Sequence, residues 1–158
     1  MFIAVLSLSL ACGSKENKKE TAGGEPAVRT GNVSFGDPFI MLHNGTYYAY
    51  GTSSPDGIIV YTSGDLATWQ IPENNLALSK ADVWADRWFW APEVYYINGK
   101  FYMYYSADEH ICAAVADNPL GPFRQEVQKP MIEGEQCIDN SLFIDDDGKA
   151  YLYFDRFN

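Results

Sequence analysis

Short apolar runs alternate with turn residues along most of the chain. The first clear example is GDPFIMLHNGTYYAYG at 36–51, where an apolar run is followed by the pair Asn44-Gly45 and then by a row of tyrosines. Asn-Gly is favoured in type I′ hairpin turns, because both turn residues need a positive φ. This stretch therefore predicts a hairpin whose strands lie at 38–43 and 46–52.

Two further strands are predicted directly after this hairpin. Residues 57–63 are rich in β-branched and apolar side chains and follow the turn residues Pro55-Asp56-Gly57. A short fourth strand is predicted around Trp69, which completes a unit of four antiparallel strands.

The same unit recurs further along the chain. When the sequence is shifted so that Gly45 falls on Gly99, the following positions also coincide: Pro38 with Pro92, Tyr48 with Tyr102, Tyr50 with Tyr104, Leu66 with Leu120, and Trp69 with Phe123. A third copy begins in IDNSLFIDDDGKAYLYF, where Gly148 matches Gly99. Four-stranded units with a repeat of about 50 residues indicate a β-propeller.

The predicted fold class is therefore all-β, with two propeller blades and the first hairpin of a third. The propeller region is expected to cover 34–158. Within it, blade boundaries are predicted at about 36–72 for the first blade, about 88–127 for the second and about 137–158 for the start of the third.

Two acidic residues occupy matching positions in this repeat. The first strand of each blade runs beside the central axis, so equivalent positions face one another across the channel. If the turn DDDG is one residue longer than HNG, Asp139 falls on the position of Asp37, and Ala91 is the matching residue of the second unit. Placing two carboxylates at one cavity costs free energy, and a protein retains such an arrangement mainly where the acids have a function. Their convergence therefore indicates acid–base chemistry.

The N-terminus is predicted to be an export signal. MFIAVLSLSLAC is an apolar run too short to span a bilayer, and it ends in Ala11 before Cys12. Residues 1–11 are predicted to be a signal peptide and residues 12–33 a flexible, polar tether. Together they resemble a bacterial lipoprotein signal with Cys12 as the lipidated residue, which predicts a periplasmic or cell-surface protein. A plain secretory signal and a misplaced start codon are the alternatives.

Composition narrows the range of partners. The formal net charge of −10 disfavours nucleic acid and anionic lipid, so membrane contact is expected only through a lipid on Cys12. Eleven Tyr, nine Phe and four Trp provide flat apolar platforms for sugars. Cys112 and Cys137 could form a disulfide in an exported protein, but buried free thiols are the preferred expectation. Since the chain has no CxxC spacing, and Phe143 interrupts the acidic pattern of a calcium loop, neither a metal nor a cofactor is predicted.

Three motifs in this order resemble glycoside hydrolase family 43, whose members are five-bladed propellers. They are GDPF at 36–39, WAPEV at 90–94 and IDNSLFIDDDGKAYLYF at 138–154. The resemblance implies hydrolysis, with inversion, of glycosidic bonds in arabinan, arabinoxylan or xylan. It does not distinguish arabinose from xylose specificity.

The resemblance also implies roles for individual residues. Asp37 matches the family's general base, and Asp139 matches the Asp that orients the general acid and tunes its pKa. The family's acid is a Glu on a later blade, and no residue of this sequence matches it, so the sequence is expected to be an incomplete and inactive fragment.

Two neighbours of the second motif are candidates for substrate binding. Trp90 is either a sugar platform or a core residue between blades, and Glu93 either binds substrate or is buried against an arginine such as Arg87. A non-catalytic propeller that binds carbohydrate or protein is the alternative function, because a fold alone does not fix an activity.

Overall fold

The computed structural model describes residues 29–30 and 32–157 of the chain. The described part is built from strands and one short 3₁₀ helix, Lys80–Asp82. The strands are β1 (Arg29–Thr30), β2 (Gly36–His43), β3 (Thr46–Ser54), β4 (Gly57–Ser63), β5 (Gln70–Ile71), β6 (Leu76–Ser79), β7 (Trp90–Ile97), β8 (Lys100–Ala107), β9 (His110–Ala116), β10 (Cys137–Ile144) and β11 (Ala150–Arg156).

Blade 1 is the antiparallel sheet formed by β2 to β5. Its strand order is β5-β4-β3-β2, with β2 on the inner side, so the four strands predicted for the first unit are confirmed. The Asn44-Gly45 turn has φ values of 49° and 78°, as a type I′ turn requires. Strand β6 pairs with the first half of β4 and leads the chain towards the second blade.

Strand β1 lies within the segment 12–33 that the sequence predicts as a flexible tether. Its backbone pairs with β5, with Arg29 opposite Ile71 and Thr30 opposite Gln70. Two residues of the segment predicted as a tether thus add an edge strand to blade 1. Residues 1–28 lie outside the described part of the chain, and so does the predicted signal peptide.

Blade 2 consists of β7, β8 and β9, with Arg124 bridged to β9 at Val115 in the place of a fourth strand. Its first turn, Asn98-Gly99, has φ values of 51° and 85° and so repeats the turn of blade 1. Tight packing joins the two blades. Phe123 N donates to Ala77 O at 2.8 Å, and a Cβ added to Gly121 would lie 2.2 Å from that same oxygen.

The third hairpin is formed by β10 and β11. Asp145 N donates to Lys149 O at 2.9 Å, so the turn contains the three residues 146–148, against two in each of the first two hairpins. This confirms the predicted one-residue extension of the third turn. The inner strands pack side by side: β7 contacts β2 and β3, and β10 contacts β7 and β8.

A continuous apolar core fills the space between blades 1 and 2. Its largest fully buried side chains include Tyr50, Leu78, Phe89, Met103, Tyr105 and Phe123. Cys112 and Cys137 are buried free thiols, as expected, and burial raises the pKa of Cys112 to about 12. The residues described contain no helix long and apolar enough to cross a membrane.

Candidate active site

The three inner strands carry the same irregularity near their starts. Pairing with the next strand is interrupted at equivalent places: between Gly36 and Phe39, between Trp90 and Glu93, and between Ile138 and Ser141. The first residue inside each interruption has a positive φ, which is 50° at Asp37, 42° at Ala91 and 56° at Asp139. Such β-bulges redirect a side chain out of the strand's regular alternation. The structure thus brings Asp139 to the position that Asp37 occupies in blade 1.

A cavity of about 230 Å³ lies where the three bulges meet. Asp37, Ala91 and Asp139 line it together with Glu93 and Asn140. The two aspartates therefore reach one cavity from different blades, whereas blade 2 contributes only a methyl group at the matching position.

The environment of Asp37 is set by a hydroxyl on the neighbouring strand. Thr52 Oγ1 donates a hydrogen bond to Asp37 Oδ2 at 2.7 Å. Thr52 Oγ1 also accepts a hydrogen bond from Ala91 N at 3.0 Å. A single side chain thereby holds the carboxylate of blade 1 and the bulge of blade 2. The distance between the two inner strands at the cavity is fixed in this way.

Asp139 is held by the corresponding contact from blade 2. Its backbone N donates to Ser106 Oγ at 3.0 Å. Desolvation raises the pKa of the Asp139 carboxyl above its usual range, and the negative charges of Asp37 and Asp155 raise it further. Like-charge repulsion is thus already present between the two acids of the cavity.

Glu93 faces the cavity, but one of its oxygens is already used. Glu93 Oε2 accepts hydrogen bonds from Tyr95 Oη at 2.5 Å and from Leu142 N at 3.1 Å, so it links β7 to β10. Burial, followed by the contact with Glu93, raises the pKa of the Tyr95 hydroxyl. The alternative pairing of Glu93 with Arg87 is wrong. Arg87 instead bonds Asp108, with its Nε 2.6 Å from Oδ1.

Trp90 lies half-buried beside the bulge of blade 2. Its ring stacks on Trp88 with the centroids 5.7 Å apart and the planes at 10°, and the Arg87 guanidinium lies 4.1 Å from the centroid of the Trp88 ring. These side chains border a second cavity of about 580 Å³, which shares Thr52 with the surroundings of Asp37. Trp90 thus lies at the edge of the site, stacked on Trp88.

A larger apolar cavity lies away from the two aspartates. It encloses about 450 Å³ at the outer edge of blade 2, between Tyr102, Val115, Val127 and Met131. Of the acidic residues described, only Glu126 lines it, so this cavity has no pair of acids for a hydrolytic reaction.

Sequence reasoning missed three residues around the site. Thr52 and Ser106 coincide under the same shift that superposes Gly45 on Gly99. The repeat alone could therefore have identified them as equivalent positions. Trp88 has a positive φ of 58°, and no local pattern marks it. Cys12, the predicted lipidation residue, lies outside the described residues.

Comparison with known proteins agrees with this geometry. The sequence model of glycosyl hydrolases family 43 matches residues 30–158. A crystal structure of an endo-1,4-beta-xylanase from Bacteroides thetaiotaomicron superposes with a TM-score of 0.75 at 48% identity, covering 83% of this chain and 46% of that one. A xylosidase/arabinosidase of Bacteroides ovatus is 37% identical over 139 residues, which are 75% of this chain and 42% of the relative.

A third relative extends the match towards the N-terminus. An extracellular exo-α-(1→5)-L-arabinofuranosidase of Cellvibrio japonicus is 27% identical over 177 aligned positions, which cover 98% of this chain and 45% of that protein. The chain thus spans less than half the length of each of these proteins, and its two blades and third hairpin form part of a β-propeller. With a family match over most of its length and three matching inner strands, the chain belongs to glycosyl hydrolases family 43.

Proposed function

We propose that this chain forms the base-bearing side of the active site of an inverting glycoside hydrolase. The substrate is an arabinose- or xylose-containing polysaccharide of the plant cell wall, such as arabinan, arabinoxylan or xylan. One observation carries the proposal: Asp37 and Asp139 occupy equivalent bulges of different blades and line one cavity. Relatives named as xylosidase/arabinosidase, xylanase and arabinofuranosidase support the substrate class.

In this proposal Asp37 is the general base. An inverting enzyme activates water on one face of the sugar and protonates the leaving group on the other, with the two carboxyl groups roughly 6.5 to 9.5 Å apart. Asp37 lies at a bulge, where its carboxylate is fixed by Thr52 and directed into the cavity. A fixed carboxylate can take a proton from a water that lies against the sugar's anomeric carbon.

Asp139 serves as the group that tunes the acid. A carboxylate placed near a second carboxyl raises its pKa by repulsion and so keeps it protonated near neutral pH. The pKa of Asp139 is itself raised, first by desolvation and then by the charges of Asp37 and Asp155, which supports a role for like-charge repulsion at this cavity. The acid is the Glu that the family places on a later blade, and no residue of this chain is assigned that role.

Trp90 and Glu93 complete the proposed site as substrate-binding residues. Trp90 offers an aromatic surface for the apolar face of a sugar, and one face of its ring is covered by Trp88. Glu93 Oε2 is occupied by Tyr95 and Leu142, so the other oxygen, Oε1, is proposed to accept a hydroxyl of the sugar.

The test uses the full-length protein with all five blades. Aryl α-L-arabinofuranosides and aryl β-D-xylosides are assayed first, followed by arabinan and xylan, and the anomer released first is identified by proton NMR. At least one substrate is expected to be cleaved with inversion. Asp37→Asn is expected to slow this cleavage by about 10² to 10⁴, while Asp146→Asn, in the exposed third turn, retains the parent rate. Retention of configuration, or a rate in Asp37→Asn equal to that of the parent, would contradict the proposal. Binding of arabinan or xylan without any hydrolysis would instead favour a non-catalytic propeller.

We also propose that the protein is exported and anchored through Cys12 to the bacterial membrane, facing the periplasm or the cell exterior. The relative from Cellvibrio japonicus, which covers nearly all of this chain, is named as extracellular. Cells that express the protein are grown with a labelled fatty acid, and a Cys12→Ala variant serves as the comparison. Label on the parent alone is expected, and equal label on both would rule out the anchor.

A further inference from the structure

The second strand of each blade has one position that faces the bulge of its own inner strand. The backbone register defines it: Thr52 lies opposite Gly36, Ser106 opposite Trp90, and Asp155 opposite Ile138. In each pair the inner-strand residue directly precedes the bulge residue with positive φ. Thr52, Ser106 and Asp155 are therefore equivalent, and we call their place the coupling position.

In the first two blades the coupling position binds the next blade. Thr52 Oγ1 accepts the backbone N–H of Ala91 at 3.0 Å, and Ser106 Oγ accepts the backbone N–H of Asp139 at 3.0 Å. The donor in both cases is the bulge residue of the inner strand that follows. One repeated hydrogen bond therefore sets where each new inner strand meets the channel.

We propose that Asp155 is a further positioning residue of the active site, whose carboxylate accepts the backbone N–H of the bulge residue in the fourth blade of the full-length propeller. It acts through that strand and not on the substrate. The register of β11 and the two contacts already formed at Thr52 and Ser106 support this role. It rests on the proposed function only for its kinetic readout.

A carboxylate at this position differs from a hydroxyl in two ways. It is a stronger acceptor, because a hydrogen bond to an ionised group is roughly twice as strong as a neutral one. It also has no proton to give. Thr52 donates to Asp37 in its own blade, whereas Asp155 adds a like charge beside Asp139.

Other charged groups near Asp139 are already paired or lie across the cavity. Arg156 Nε bonds Glu135 at 3.2 Å, and the carboxylates of Asp37 and Glu93 face the same cavity as Asp139. On the neighbouring hairpin of blade 2, Glu109 Oε2 accepts a hydrogen bond from Gln136 at 2.7 Å. Asp155 thus both holds the next strand and keeps the third hairpin's side of the cavity negative.

The experiment compares three variants of the full-length enzyme. Asp155→Ala removes the acceptor, Asp155→Ser restores the hydroxyl that the other two blades use, and Asp146→Ser makes the same change of charge in the exposed turn of the same hairpin. Thermal unfolding is measured for each variant, together with kcat and KM on the best aryl glycoside. Asp155→Ala is expected to lower Tm and to lower kcat by about tenfold to 10²-fold, because a displaced strand misplaces the groups it carries.

Rescue by serine is the decisive result. Asp155→Ser is expected to recover most of the Tm and kcat that Asp155→Ala loses, and Asp146→Ser is expected to match the parent in both. The proposal is overturned if serine is no better than alanine, or if Asp155→Ala behaves like Asp146→Ser. If the parent enzyme cleaves none of the glycosides, the proposed function fails while the Tm comparison still decides the role of Asp155.

Discussion

Blades 1 and 2 present the same backbone to the channel but different side chains. Asp37 and Ala91 both lie in a bulge, both have a positive φ, and both are followed by a proline. A positive φ is unfavourable for a residue with a Cβ, and at Ala91 no chemistry justifies it. The bulge is therefore a property of the fold, while the carboxylates of Asp37 and of its third-hairpin equivalent, Asp139, are what the proposed function requires.

Asp37→Asn removes the carboxylate of blade 1 and keeps its bulge, so it tests the difference between the two blades directly. In the full-length protein, Asp37→Asn is expected to lower kcat/KM by about 10² to 10⁴, which is the usual contribution of a general base. The loss should be the same for good and poor leaving groups, because water must be activated for both. The loss in kcat/KM is measured on aryl glycosides of graded leaving-group pKa. A loss confined to poor leaving groups would mean that Asp37 assists protonation of the leaving group and does not activate water.

Asp139→Asn should give a smaller effect with a different profile. Weakening the acid costs little when the leaving group departs without protonation, so the loss in kcat/KM is expected to grow with leaving-group pKa. The same graded series measures it. Identical profiles for Asp139→Asn and Asp37→Asn would refute the separate roles of the two acids.

Thr52→Val tests the contact that joins the two blades. The substitution keeps the shape but removes the acceptor for Ala91 N and the donor to Asp37, so a loss of about 1 to 3 kcal/mol in the free energy of unfolding is expected. Urea unfolding of the full-length protein measures it, with Thr62→Val on β4 as the control. Equal losses in both variants would mean that the coupling position carries no special contact.

Local patterns allowed the hairpins to be predicted. The Asn-Gly turns and the rows of tyrosines determine strands and register within a few residues, and the repeat was enough to align Asp139 with Asp37. Contacts between blades could not be predicted in the same way. The binding of Thr52 to Ala91 N depends on how two sheets pack, and Arg87 could not be assigned to Asp108, rather than to Glu93, without the positions of both loops.

A second comparison separates the third hairpin from the two blades. Asn140 stands where blades 1 and 2 have Pro38 and Pro92, and among the residues described neither polar atom of its buried side chain has a hydrogen-bond partner. Asn140→Pro is therefore expected to raise the free energy of unfolding by about 0.4 to 1 kcal/mol, because proline lowers the conformational entropy of the unfolded chain. Removal of the unpaired side-chain amide should raise it further. Urea unfolding measures it, and Ser141→Pro, which would remove an N–H of the paired part of β10, should destabilise. A loss of stability in Asn140→Pro would show that its backbone differs from that of the two prolines.

The smallest effect expected is a pH-dependent gain in stability when Asp139 loses its charge. Burial and the charges of Asp37 and Asp155 raise the pKa of Asp139 in the folded protein, so its ionised form is less favourable there than in the unfolded chain. Its contribution to stability is full at pH values below the unfolded pKa and is lost as the pH rises through the folded pKa. Asp139→Asn should therefore have a higher Tm than the parent at pH 7, and the difference should vanish at about pH 3, where the carboxyl is protonated in both states. Asp147→Asn is the matched control, because Lys149 lowers the pKa of Asp147 and the sign reverses. If Asp139→Asn were less stable than the parent at pH 7, the carboxylate would be held there by favourable contacts, and the repulsion on which its tuning role depends would be absent.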